Sequence, residues 1–237
     1  MSGRRQLMVA NGGIQIQPIY GETGVWLKSG ADVISSGMHM PYVEVEGMTQ
    51  YVFSNGVASD AYLFGSGLQI VSNGGIAKNT AVHVEGRMSA FSGGLAENLN
   101  VYHSGEAHIS SGALCTNATM SAYDTNAAKL YINTGGSASS ATVLSGGYFV
   151  QRYGGIATDT TVSRGGLLYP VFGGSALNAT IKSGGACSAG ISGGFVSGIT
   201  VESGGRLVVM SGGTALAVTS NTGATVVVSA GGYIEYA

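Results

Sequence analysis

The chain reads as an all-β, single-domain parallel β-solenoid, and three observations carry that reading. Glycine returns at an interval of about 19 residues, like residues return to like places between the glycines, and the intervening segments are short and β-branched. One glycine series runs Gly37, Gly56, Gly75, Gly94, Gly112, Gly136, Gly155, Gly174, Gly194, Gly213 and Gly232, in steps of 19, 19, 19, 18, 24, 19, 19, 20, 19 and 19. A second, interleaved series that includes Gly147, Gly166, Gly185 and Gly205 keeps nearly the same step. Two turns per period therefore recur about ten times.

The columns between the glycines follow in order. Two places after the first series comes a small column: Ala58, Ala77, Ala96, Leu114, Ala138, Ala157, Ala176, Val196 and Ala215. Next stands a threonine rank (Thr142, Thr161, Thr180, Thr200, Thr219), then a β-branched column at Val82, Val101, Val143, Val162, Ile181 and Val201. A further apolar column precedes the glycines: Ile34, Phe53, Val71, Phe91, Ile109, Ile132, Tyr153, Phe172, Ile191 and Met210. If each period makes one circuit, successive circuits stack as parallel strands about 4.8 Å apart and the columns become ladders filling an interior. The corners at Gly75, Gly94, Gly147, Gly155, Gly166, Gly174, Gly185, Gly194, Gly205 and Gly213 belong to pairs that supply positive φ and let neighbouring turns approach closely. About ten coils give a rod on the order of 50 Å long. The general preference of parallel crossovers predicts a right-handed coil.

Composition agrees. Glycine is abundant at 41 of 237 residues, but proline numbers only 3 and glycine does not fall at every third place, which excludes collagen. A hydrophobic fraction of 44% against 9% charged residues is the reverse of a disordered tail. A formal net charge of −2 offers no basic field for nucleic acid or an anionic membrane, and no apolar run reaches the roughly 18 residues of a membrane helix. The start, "MSGRRQLMVANGG", is too short in its apolar part for a signal peptide, so an export address is expected outside these residues. Cys115 and Cys187 are expected as two separate, partly buried thiols.

The stretches "GGSASSATVLSGG" (Gly135–Gly147), "GGIATDTTVSRGG" (Gly154–Gly166) and "GGSALNATIKSGG" (Gly173–Gly185) resemble the AIDA-type repeats of bacterial autotransporter adhesin passengers. The resemblance covers residues 30 to 235. It implies a β-helical passenger on the bacterial cell surface or secreted, acting as a stalk or an adhesion and self-association surface. Its partners would be further copies of itself, or a protein or glycan on a host or neighbouring cell, and its repeat serines can be glycosylated. Such proteins end in a translocator barrel, which these residues do not include.

Where the repeat breaks, contacts are expected. Residues 1–28 precede the solenoid of 29–237 as a cap or docking segment, with Ile14, Ile16, Ile19, Tyr20 and Trp26 as its apolar anchors against an otherwise open edge. An insertion near 119–131 lengthens one coil by about five residues and is expected to project Tyr123, Asp124, Thr125, Asn126 and Lys129, either as a tolerated insertion with no partner or as a candidate interaction loop.

Catalytic chemistry finds little footing. Glu44 and Glu46 alternate on one strand and read as a solvated face. His83, His103 and Glu85 fall near one another without the ligand number or spacing of a built metal site. No Walker loop, nucleophile elbow or dinucleotide fingerprint occurs, and no cofactor is expected. The leading expectation is a non-catalytic rod. A subunit assembling through its solenoid ends comes second, and a polysaccharide-active enzyme a distant third.

Overall fold

The computed structural model describes residues 7–10, 13–16, 25–27, 31–35, 38–123 and 126–237, with side chains from residue 31 onward. The described residues form a parallel β-solenoid of about 11 turns with no helix. Each coil is three-sided. In one coil the long face is Leu68–Val71, the middle face Ile76–Lys78 and the short face Ala81–Val82. The next coil repeats them as Arg87–Ala90, Leu95–Glu97 and Asn100–Tyr102, paired in parallel with Leu68↔Arg87, Ile76↔Leu95 and Ala81↔Asn100. The long face runs unbroken through eleven strands, from Ala31–Ile34 to Thr225–Val228.

Side chains alternate inward and outward along each strand, as the pleat requires. Met88, Ala107, Leu130, Phe149, Leu168 and Cys187 stack in one inward column of the long face, all fully buried. Val82, Val101, Met120, Val143, Val162, Ile181 and Val201 fill the short face as the period predicts. The threonine rank pairs rung to rung from Thr119 through Thr142, Thr161, Thr180 and Thr200 to Thr219.

Two expected columns need correction. Leu114 is not in the small interior column: it is 39% exposed, and Cys115 takes the place between Ala96 and Ala138. The cause is local, because Ala113 stands where other coils carry the second glycine, which moves the count by one. The apolar column before the glycines is also mixed. Ile34, Val71, Ile109 and Ile132 do point inward, but their true successors are Gln151 and Pro170. Phe53, Phe91, Tyr153, Phe172, Ile191 and Met210 lie one or two places later, outside the core.

The glycine pairs divide their work. At Gly154 φ is +82°, a conformation glycine adopts without steric cost, whereas a Cβ on Gly155 would stand 2.1 Å from the carbonyl oxygen of Ile132 in the coil below. The ten corner glycines named above are all second members of this kind. None has positive φ, and a Cβ on any of them would come within 2.1–2.6 Å of a backbone oxygen. In each pair, one glycine makes the bend and the other lets the coils close to hydrogen-bonding distance.

At the amino-terminal end, Leu7–Ala10 pairs antiparallel with Gly13–Ile16, the strand that contains Ile14 and Ile16. Val25–Leu27, centred on Trp26, pairs in parallel with Val43–Val45, so the parallel ladder takes in residues ahead of the boundary expected at 29. Ile19 and Tyr20 lie outside the described residues.

Candidate interaction surfaces

The expected interaction loop is only partly a loop. Tyr123 is 89% exposed and its ring lies 5.2 Å from that of His103. The Asn126 carbonyl accepts the Ser104 N–H at 3.1 Å, while Asp124 and Thr125 lie outside the described residues. Lys129 does not bulge. It sits on the long-face strand Ala128–Ile132, in register between Glu106 and Tyr148, because the extra residues are taken up before Ala128 restores the ladder.

Outward-facing aromatic side chains gather in several places; on the long face Tyr131 stacks on His108 and Tyr148 meets Tyr169, and two further groups stand elsewhere. On the short face Tyr62, His83 and Tyr102 follow one another with ring centroids 4.4 and 4.6 Å apart, and Phe64 lies 5.3 Å from Tyr62. Burial, and secondarily the neighbouring His103, hold the His83 imidazole below its usual range, which favours its neutral form in this strip. Among the described residues no group of three metal-ligating side chains occurs.

The second group stands at the corner between long and middle faces. That corner is a tight turn closed by a hydrogen bond from the second glycine N–H, as from Gly155 to the Arg152 carbonyl at 3.0 Å. Its first turn residue has positive φ in coil after coil, and is small or amide-bearing at Ser54, Asn73, Ser92 and Ser111. In two adjacent coils it is Tyr153 (φ 54°) and Phe172 (φ 48°). Bulky residues are rare in this region, and holding one there costs of order 1–3 kcal/mol. The two rings are 56% and 45% exposed and stack at 5.7 Å with 13° between their planes. The Arg152 guanidinium lies over the Tyr131 ring at 4.6 Å and 5.8 Å from that of Tyr153, while its Nε donates to Asn133 Oδ1 at 2.8 Å.

The interior holds a polar thread that the columns did not reveal. Thr80 Oγ1 donates to Gln69 Oε1 at 3.2 Å, Gln69 Nε2 to Gln50 Oε1 at 2.7 Å, and Gln50 Nε2 to Asp32 Oδ2 at 3.2 Å. All four are buried. The inward register of 32, 50 and 69, continuing to Met88, was the signal that would have found it. Burial pushes the Asp32 carboxyl above the ordinary carboxylate range, against the lowering effect of the Gln50 hydrogen bond. The folded state therefore holds the Asp32 proton more tightly than the unfolded chain, whose value is about 3.9. This stability is fully present below that value and is lost as pH rises through the elevated native one. Asp32→Asn is expected to raise the thermal midpoint at neutral pH and to flatten its fall as pH rises above the ordinary carboxylate value of about 4; an unchanged slope would remove Asp32 as its source. Cys115 and Cys187 are both buried and free, and burial pushes each thiol up to about 12, which leaves them unreactive in the folded rod.

An unbroken stack of glycine-cornered, three-sided coils with an apolar interior defines a repeat solenoid whose chemistry lies on its outer faces. No family model matches the sequence, and no curated protein matches it. Among solved structures, the TibC-catalysed, hyper-glycosylated fragment of TibA (residues 55–350) is similar at a TM-score of 0.83 and 33% identity, over 90% of this chain and 76% of that one. The chain belongs to the AIDA-type family of autotransporter adhesin passengers.

Proposed function

We propose that this chain is a non-catalytic, surface-displayed or secreted passenger rod that presents adhesive faces away from the bacterial cell. The observation that carries the reading is the unbroken in-register ladder of eleven long-face strands, together with its likeness to an adhesin passenger. A rod built this way projects its far end at a fixed distance, because every coil is clamped to its neighbours along three faces. Its outer surface is free to vary, since only alternate side chains build the core. The TibA fragment is glycosylated by TibC, and the corner serines of this chain offer hydroxyls to a similar modification.

The test is gain of function. The chain is fused to a translocator and displayed on a non-adherent bacterium, and adherence to cultured cells and to sister bacteria is counted. Expected is a several-fold gain over the translocator alone, competed away by the soluble chain. No gain with the rod verified on the surface overturns the adhesive role. Growth of the soluble chain into filaments with concentration assigns it to end-to-end assembly instead.

A further inference from the structure

We infer that the corner ridge of Tyr153, Phe172 and Ile191, with Arg152 beside it, is a binding site for an acidic glycan, a chain of uronate-bearing pyranoses laid along the rod. It narrows the adhesive role proposed above to one face and one ligand chemistry. Four observations lead there. Four other coils place serine or asparagine at this turn position, at Ser54, Asn73, Ser92 and Ser111, and two adjacent coils instead hold aromatic rings there against the backbone's preference. These side chains contribute nothing to the core, so packing does not account for them. Ile191, 54% exposed, extends the ridge: the Tyr153 N–H donates to the Phe172 carbonyl at 2.9 Å, and the Phe172 N–H to the Ile191 carbonyl at 3.1 Å. Beside both rings the surface is bare backbone. A Cβ built on Gly154 or Gly173 would meet nothing within 4 Å, so the flank of the stacked ring pair is open beside these glycines.

Shape and charge select the occupant. The ridge exposes two rings and one aliphatic side chain, whereas a stable protein partner needs roughly 800 Å² on each side. A linear saccharide suits such a ridge, laying the C–H groups of its sugar rings along the exposed flank of the stacked pair. The guanidinium supplies the sign. Arg152 is fixed by Tyr131 beneath it and by Asn133 at Nε, and no carboxylate among the described residues pairs with it. Its Nη edge is left to receive a carboxylate bidentately, the arrangement at which arginine excels. The carboxylate of a uronate resting on Tyr153 falls within its reach.

The experiment uses the isolated chain without cells, so failure of this site and failure of adhesion are read separately. Polygalacturonate is embedded in native gels and oligogalacturonides are titrated by calorimetry, with a neutral galactan as the comparison. Tyr153→Ser with Phe172→Ser, the residue of sibling coils, is expected to weaken binding at least tenfold while the unfolding midpoint holds or rises. Arg152→Gln is expected to abolish the preference for the acidic polymer, and added salt to reduce it in the unaltered chain. The proposal is overturned by absence of binding to polygalacturonate, by unchanged affinity in the double serine variant, or by equal binding of the neutral polymer. It is also overturned if the ridge mediates self-association, seen as a dimer in sedimentation that the serine variant dissolves.

Discussion

Gly155→Ala is expected to destabilise the rod by about 3 kcal/mol, and Gly154→Ala by only about 1 kcal/mol, although the two residues are adjacent and both lie in one turn. At Gly154 the added methyl meets open space, and the loss is the left-handed backbone conformation alone. At Gly155 the methyl would stand 2.1 Å from the Ile132 oxygen and 2.5 Å from its carbonyl carbon. Neither atom is the end of a flexible side chain, so relief requires two coils to part where the Ile156 N–H reaches the Gly136 carbonyl at 3.3 Å. Denaturant midpoints of the two variants decide the matter, and equal losses would show that the second glycine is not a contact residue.

Phe149→Ala is expected to cost about 3–5 kcal/mol. Phe149 is the largest of the fully buried side chains, stacked in register between Leu130 and Leu168. The coils above and below are held apart by their own backbone ladders, so the vacated volume cannot close by collapse. Because each coil meets only its neighbours, the defect is expected to appear first as faster amide exchange in the coils around 149, ahead of the global midpoint. A loss under about 1 kcal/mol would mean that the interior repacks freely.

The period was legible because glycine marks it twice per coil, and period alone fixes architecture, coil number and the parallel register. What it does not fix is which of two adjacent apolar residues faces inward. Tyr153 and Phe172 were expected to continue Ile132 because all are apolar and stand just ahead of a glycine pair. The rung partners Gln151 and Pro170 take that place instead, and the aromatic residues belong to the turn. Leu114 and Cys115 show the same ambiguity where Ala113 substitutes for a glycine. Lys129 was misplaced for a different reason, since an insertion's length is visible in sequence but the residue at which the ladder resumes is not. The buried thread from Asp32 to Thr80 is hard to read in sequence because aspartate, glutamine and threonine are ordinarily surface residues, although the spacing of 32, 50 and 69 carries the inward register.

The hydrogen bonds between coils lie along the axis of the rod, and that orientation has a mechanical meaning. A pull from end to end acts on these bonds in tension, coil by coil, rather than in shear across a whole face. The terminal coil peels first and leaves a new terminal coil of the same construction, so the force to continue depends little on how much has already been lost. A tether of this kind yields gradually from its free end, and its remaining length keeps its shape until its own turn comes.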